Sequence, residues 1–180
     1  MEAGALVLRP AGPGDAAALA VFAKAAFDAA FGHLYAPEDL AAFMAAERSP
    51  ARYAAQLADP TVRVQLAEVD GALAAYALVV LGHGFVERPA PRPKRPVYLS
   101  QLYCARGMSE RGIGAALLGW AIEEAREWGA GALQLSVFSG NEGAQRFYRR
   151  HGFAHVADID FWVGNHRDDE FLYELALGNS

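Results

Sequence analysis

The sequence predicts a single α/β domain, spanning residues 1–180, built around a mixed β-sheet. Strand-like and helix-like segments alternate in the order β-α-α-β-β-β-α-β-α-β-β, with a short extra helix after the second. Asp70-Gly71 lies between two apolar stretches and gives a strong hairpin signal. No internal repeat or linker interrupts this order, and 180 residues are enough to bury one full core.

Local signals predict the elements of the N-terminal half. Asp15 can cap a helix whose apolar residues recur at helical spacing, and Gly32 ends that helix. Ser49 followed by Pro50 is a cap with proline at the first helical position. We therefore expect a strand at 6–9, helices at 15–31 and 37–44, a short helix from 50, and strands at 62–68 and 73–81.

The C-terminal half opens with a basic, proline-rich stretch at 83–96. Its four prolines exclude an inner strand and predict an exposed loop. Gly129 is expected to be the left-handed cap of a helix. The remaining elements are predicted to be strands at 97–104 and 133–138, helices at 112–128 and 141–150, a strand at 153–163, a turn at 164–169 and a strand at 171–177.

Composition favours a cytoplasmic protein that binds neither nucleic acid nor membrane. The net charge of −5 disfavours nonspecific nucleic-acid binding and favours a cationic small substrate. The lone Cys104 excludes an internal disulfide, and five scattered histidines offer no metal-ligand spacing, so we expect no metal. No signal peptide is visible, and we expect no apolar run of the roughly 18 residues that a membrane span needs.

A Gly-x-Gly pair, Gly112-Ile113-Gly114, opens the helix predicted at 112–128. The free N–H groups of a helix N-terminus suit a pyrophosphate, and Arg111 could add a cation. A plain strand-to-helix turn is the competing interpretation of an isolated pair. The spacing lacks the third glycine of the dinucleotide fingerprint and the Gly-Lys-Ser/Thr of a P-loop, which excludes both of those sites.

A second motif follows one helix later, with Asn141, Ala144, Phe147-Tyr148 and Gly152-Phe153 at fixed distances. Together the two motifs resemble the GNAT superfamily of acetyl-CoA-dependent N-acetyltransferases, with its Q/R-x-x-G-x-G/A and N-x-x-A-x-x-F/L-Y-x-x-x-G-F patterns. The resemblance covers residues 97–153 most strongly. It implies a twisted, mostly antiparallel sheet of about seven strands with helices on both faces.

The resemblance also implies how acetyl-CoA would bind. The backbone of the strand end would pair with the pantetheine arm, Asn141 would hydrogen-bond it, and the glycine loop would cradle the pyrophosphate by its N–H groups. Ser109 stands at the usual Gln/Arg position, a departure that leaves the backbone cradle intact. The implied cofactor-binding residues are Leu102, Tyr103, Cys104, Glu110, Arg111, Gly112, Ile113, Gly114, Ala115 and Asn141.

Acetyl transfer needs a neutral amine, a donor to the oxyanion and a proton for the departing thiolate. The resemblance places Tyr148 near the CoA sulfur, as the proton donor and catalytic residue. The base stays open, because the strand positions where family members carry a glutamate hold Tyr98 and either Ser136 or Ser139. One alternative is a water chain held by Tyr98, Ser100 or Ser136. The others are an acidic residue of the first helices, Glu38, Asp39 or Glu47, and His33 between those helices.

The acceptor is predicted to be a primary amine that attacks acetyl-CoA directly in a ternary complex. Segments at 26–35 and 161–169 resemble the bacterial polyamine (PaiA-type) acetyltransferase branch, which favours a small amine or polyamine. A protein acetyltransferase acting on an N-terminus or lysine is an alternative, as is a CoA-binding regulator without catalysis. The loop at 83–96 is expected either to gate the acceptor side, to contact CoA or to be a connector. Monomer and homodimer are equally compatible.

Overall fold

The computed structural model describes residues 4–108 and 111–178, and its elements follow the predicted order. The strands are β1 (Leu6–Pro10), β2 (Val62–Val69), β3 (Ala72–Leu81), β4 (Pro96–Cys104), β5 (Ala132–Phe138), β6 (Ala154–Val163) and β7 (His166–Ala176). The helices are α1 (Ala16–Phe31), α2 (Pro37–Glu47), α3 (Pro50–Ala58), α4 (Ile113–Trp128) and α5 (Glu142–Arg150), with short 3₁₀ turns on either side of α1.

The seven strands form one sheet in the order β1-β2-β3-β4-β5-β7-β6. Only β4 and β5 pair in parallel, and every other neighbouring pair is antiparallel. Parallel pairing requires a crossover, and α4 supplies it between those two strands. The predicted fold, a mixed and mostly antiparallel α/β sheet, is confirmed.

Helices cover both faces because successive side chains of a strand point to opposite faces. Ala75, Ala77 and Val79 of β3 pack in one core with α4. Tyr76 and Leu78, which lie between them in the sequence, pack in a second core with α1 and α3. The sheet therefore separates two apolar cores, and a ligand site that joins both faces needs an opening between strands.

Such an opening lies between β4 and β5. Their pairing spans three residue pairs and ends where Tyr98 meets Gln134. Two residues further along β4 the register with β3 shifts, since Val79 faces Leu99 and Leu78 faces Gln101. Ser100 is thus the extra residue of a β-bulge, and bulges bend and twist the strand that carries them. Beyond Tyr98 the two strands diverge.

The prediction of a six-residue turn at 164–169 is wrong. The hairpin turn is only Gly164-Asn165, and β7 begins at His166. Charged residues are tolerated in this strand because Arg167 lies between Asp160 and Asp169 and forms ion pairs with both. As a consequence, the acidic residues at 168–170 belong to the sheet.

The loop at 83–96 is held to the body of the protein by its basic side chains. Arg88 donates two hydrogen bonds to the Glu174 carboxylate, each 2.9 Å long. The Arg95 guanidinium stacks 3.8 Å above the centre of the Trp128 ring. The Lys94 carbonyl accepts from the Gly131 N–H at 2.9 Å. These contacts favour the connector interpretation over a mobile gate.

The helical segment Pro13–Leu34 is long and apolar enough to pass for a membrane span, with a mean hydropathy of 1.3. The sequence analysis expected no apolar segment of this length, and that expectation is wrong. Leu19, Ala20 and Ala23 of α1 are nonetheless buried against the sheet. Packing in the core therefore accounts for part of the apolar character of α1, while Val21 is exposed.

Gly119, inside α4, and Gly129, directly after it, should respond in opposite ways to substitution by alanine. Gly129 has φ of +85° at the C-terminus, where a Cβ is strained, so Gly129→Ala should lower the free energy of unfolding by about 1–2 kcal/mol. Gly119 lies inside the helix with no atom within 4 Å of a built Cβ, so Gly119→Ala should raise it by about 0.5–1 kcal/mol. Urea unfolding measures both, and shifts of the same sign would contradict this account.

Candidate active site

A cavity of about 420 Å³ occupies the opening where β4 and β5 diverge. We call it the gap cavity. Residues of β4, β5 and β7 form its walls, α1 and α2 close it on one face of the sheet, and α5 borders it on the other. The residues used below that line it are Phe27, Phe43, Glu47, Arg48, Arg52, Tyr98, Ser100, Gln101, Leu102, Tyr103, Ser136, Phe138, Asn141, Ala144, Tyr148, Phe161, Trp162 and Glu170.

The glycine loop lies at the N-terminus of α4, next to the end of β4. Gly112 is the cap residue with φ of +75°, a conformation that favours glycine, and among the described residues no atom lies within 4 Å of a Cβ placed there. A Cβ on Gly114 would come 3.9 Å from the Cys104 sulfur. The loop therefore leaves its backbone open beside the predicted pantetheine strand. Glu110, one of the predicted residues, lies outside the described residues.

Arg111 and Ile113, on either side of Gly112, have different roles in the loop. The Arg111 N–H donates to the Met108 carbonyl at 3.3 Å, so this N–H is already partnered. The Ile113 side chain is buried in the core, which anchors the start of α4. The first N–H groups of any helix have no partner within it, and here they belong to residues 113–115. These donors, with the open space at Gly112, fit a pyrophosphate.

The end of β4 presents one free edge to the gap cavity. Leu102, Tyr103 and Cys104 pair with β3 on one side, and β5 does not pair with them on the other. An extended pantetheine could add to this edge as a strand would. Burial raises the pKa of the Cys104 thiol, which packs beside the core and stays protonated. This favours packing over an acetyl-cysteine intermediate.

Asn141 and Tyr148 reach the gap cavity from α5. The Asn141 side-chain oxygen caps that helix by accepting from the Ala144 N–H at 3.1 Å, which leaves its NH₂ group as a donor. The Tyr148 ring packs edge-on against Phe147 and Phe153. Burial raises the pKa of Tyr148, so its hydroxyl remains protonated and able to donate.

Glu170 is a buried carboxylate that the sequence analysis missed. It lies on β7 opposite Phe138, is 9% exposed and lines the gap cavity. Burial raises its pKa to about 7, the nearby Ser136 hydroxyl partly offsets this, and the charge of Asp168 adds to the rise. Its Oε2 atom has no hydrogen-bond partner among the described residues. A carboxylate with these properties can accept a proton near neutral pH.

Glu174, on the same face of β7, provides a contrast. Burial alone would raise its pKa, but hydrogen bonds from Arg88 and Gln134 outweigh that effect and lower it. Glu174 is therefore a fixed anion in a structural ion pair. Two glutamates four residues apart have their pKa values moved in opposite directions, and the one with the raised pKa lines the cavity.

The other acidic residues that the sequence suggested as a base have different surroundings. Glu38 is exposed on α2, and Asp39 accepts from the Asn165 N–H at 2.8 Å. Glu47 lines the gap cavity but forms an ion pair with Arg52 at 3.5 Å and is about half exposed. His33 is exposed and does not line the cavity. Tyr98, Ser100 and Ser136, the suggested water-chain residues, do line it.

Asp168 lies two residues before Glu170, on the same buried face of β7. It is buried and accepts hydrogen bonds from the Tyr35 hydroxyl and the His166 ring, the latter at 3.0 Å. Burial and the Asp168 carboxylate together raise the pKa of Tyr35, so this hydroxyl stays a donor. The contact ties the segment between α1 and α2 to β7.

Arg48 is a buried cation on the same side of the sheet as α1 and α2. It follows the last residue of α2, is 6% exposed and lines the gap cavity. Its guanidinium lies over the Phe43 ring, 4.9 Å from the centroid. Such a contact contributes about 0.5–2 kcal/mol, whereas burying an unpaired ion costs several kcal/mol. No local sequence pattern predicts this burial.

Sequence and structure comparisons identify the family. The profile of the Acetyltransferase (GNAT) family matches residues 23–153. An uncharacterized N-acetyltransferase of Mycobacterium tuberculosis is 34% identical over 163 residues, covering 91% of this chain and 98% of the relative. The chain belongs to the GNAT acetyltransferase family. It is accordingly an acetyl-CoA-dependent acyltransferase, as the two motifs predicted.

Solved GNAT-type structures share the fold of this chain. The PaiA N-acetyltransferase of Thermoplasma acidophilum, solved with coenzyme A, superposes with a TM-score of 0.75 at 16% identity, covering 96% of this chain and 99% of that one. The acetyltransferase yncA of Salmonella typhimurium, solved with acetyl-CoA, gives 0.70 at 20% identity, with coverages of 98% and 96%. At these identities the likeness extends to the fold alone.

The two glutamates of β7 should titrate at opposite ends of the carboxylate range. In an NMR titration with ¹³C-labelled glutamate, Glu170 should titrate near pH 7 and Glu174 below the ordinary value for glutamate. Asp168→Asn removes a negative charge beside Glu170 and should lower its pKa while leaving Glu174 unchanged. Assignment of each signal uses Glu170→Gln and Glu174→Gln. An ordinary pKa at Glu170 would contradict its burial in the site.

Proposed function

We propose that this GNAT protein transfers the acetyl group of acetyl-CoA to the primary amine of a small molecule, by direct attack in a ternary complex. The observation that carries the proposal is Glu170, a carboxylate with a pKa near 7 in the gap cavity that Tyr148 also lines. A base and an acid thus border the same opening in the sheet, as acetyl transfer to an amine requires.

The donor half of the proposal uses the face of the sheet covered by α4 and α5. N–H groups of the glycine loop, together with Arg111, bind the pyrophosphate. The free edge of β4 at Leu102–Cys104 and the Asn141 amide hold the pantetheine. Open space at Gly112 and the uncovered strand edge support this assignment.

The acceptor half uses the α1 and α2 face. Glu170 takes a proton from the ammonium form of the acceptor, directly or through the neighbouring Ser136 hydroxyl. The neutral nitrogen attacks the acetyl carbon, the carbon–sulfur bond breaks, and Tyr148 gives its proton to the leaving sulfur. The new amide nitrogen then loses its extra proton, which returns Tyr148 to its neutral form, and Glu170 releases the proton it took to solvent. The products are an N-acetylated amine, free CoA and one proton.

The same observations bear on the alternatives. A cavity of about 420 Å³ that α1 and α2 close on one side fits a small acceptor better than an extended protein segment. The regulator hypothesis rested on the missing strand glutamate and on Ser109 at the usual Gln/Arg position, and Glu170 is a candidate for the missing base. A polyamine would bring only positive charge to a cavity that already contains the buried Arg48.

Purified protein should release free thiol from acetyl-CoA when a suitable primary amine is present. Tyr148→Phe, which removes only the hydroxyl, should lower kcat by about 10–100-fold while changing the Kd for CoA less than threefold. Thiol release and calorimetry measure the two quantities. Tight CoA binding with no thiol release for any amine would instead support the regulator, and unchanged turnover in Tyr148→Phe would refute its role.

The rate should also depend on the protonation of Glu170. Since the carboxylate form is the base, kcat/KM should rise with pH and level off above pH 7. Glu170→Gln should lower kcat/KM by about 100-fold and remove this limb of the profile. Glu47→Gln, a cavity residue in a half-exposed ion pair, is the matched control and should keep it. A limb that persists in Glu170→Gln would assign the titration to another group.

A further inference from the structure

We propose that Arg48 binds a carboxylate of the acceptor, so that the substrate is an amine that also carries a carboxylate group. This inference rests on the proposed acetylation and narrows its substrate class. It concerns the face of the gap cavity that α1 and α2 cover, opposite to the predicted CoA side.

The donors of the Arg48 guanidinium are incompletely used. Nη1 donates to the Glu47 carbonyl at 3.0 Å, the Tyr103 hydroxyl is a further polar neighbour of the guanidinium, and Nε has no hydrogen-bond partner among the described residues. Within that part of the chain, no carboxylate lies within 4.0 Å of the guanidinium. At 6% exposure the group has little access to solvent. A buried arginine is ordinarily paired with an anion, and here the described protein provides none.

A purely structural role does not account for these donors. Phe43 and Phe27 lie against the face of the guanidinium, at 4.9 and 5.7 Å from its carbon to their ring centroids. Stacking of this kind supplies no acceptor for the N–H groups, which point outward in the guanidinium plane, and Nε is left without one among the described residues. A carboxylate binds in that plane through two parallel hydrogen bonds, so ring stacking and carboxylate binding are compatible.

The other charges of the gap cavity support an acceptor of mixed charge. Glu47 and Arg52 form an ion pair with each other at the half-exposed rim. The buried charged groups that remain are Arg48 and Glu170. An acceptor with one carboxylate and one ammonium group would complement both. Phe161 and the half-exposed Trp162 add an apolar wall for the part between them.

Binding of matched ligand pairs to the CoA-saturated protein tests the inference. The probes are ω-amino acids from glycine to 6-aminohexanoate, phenylalanine, the carboxamide of each, and spermidine, with Kd measured by calorimetry. At least one carboxylate should bind about tenfold or more tightly than its amide, as charge-assisted bidentate bonds predict. Amides or spermidine that bind as tightly as every carboxylate would overturn the inference.

Variants connect the preference to Arg48. Arg48→Gln should reduce the carboxylate preference to less than about twofold, and Arg48→Lys, which keeps the charge, should retain part of it. Arg52→Gln is the control, because Arg52 lines the same cavity but is paired with Glu47. Melting temperatures and the Kd for CoA verify that each variant is folded. A preference that survives in a folded Arg48→Gln would overturn the assignment.

Thiol release, measured with the same probes, separates this inference from the proposed function. Arg48-dependent carboxylate binding with no thiol release would leave the binding site standing and contradict acetyl transfer. Thiol release with spermidine and with amides, and no effect of Arg48→Gln on their kcat/KM, would confirm acetyl transfer and overturn the carboxylate site.

Discussion

The bulge at Ser100 is the constraint on which the rest of the site depends. One extra residue in β4 shifts its register with β3 directly after its pairing with β5 ends. A regular parallel pair would have continued the ladder and closed the sheet between the two cores. Because β4 diverges, its far edge stays free, and a cavity connects the α4–α5 face with the α1–α2 face. This opening is therefore the place where the proposed donor and acceptor sites meet.

The opening also determines the electrostatics. Glu170 and Glu174 lie on the same face of β7 and are both shielded from water, so their pKa values depend on the hydrogen-bond partners that reach them. Glu174 lies where the sheet is closed and Arg88 reaches it, and it stays ionised. Glu170 also lies in a paired part of β7, opposite Phe138 and Ile159, but its side chain borders the gap cavity, and its pKa rises to about 7. The same strand thus carries a structural anion and a titrating carboxylate.

Local signals in the sequence account for most of the fold, and the proposed donor half of the site rests on two local motifs. Caps such as Ser49 and Gly129 and the hairpin at Asp70-Gly71 act within a few residues, so the elements could be placed without tertiary information. Glu170 was hidden because the charged run before it was interpreted as a turn. The alternation of Asp168, Glu170 and Leu172 on one buried face was the available signal. The ion pairs of Arg167 with Asp160 across the hairpin and with Asp169 help to explain why this charged run is a strand.

The acceptor half depends on elements far apart in the chain, and no motif spans them. Arg48 directly follows α2 and Glu170 lies on β7, and they line one cavity because α2 packs over this part of the sheet. The net charge of −5 favours a cationic substrate when the whole chain is considered. A buried charge, however, acts at short range through a low dielectric, while surface charges are screened within about 10 Å. The local arrangement of Arg48 and Glu170 should therefore outweigh the overall charge in selecting the acceptor.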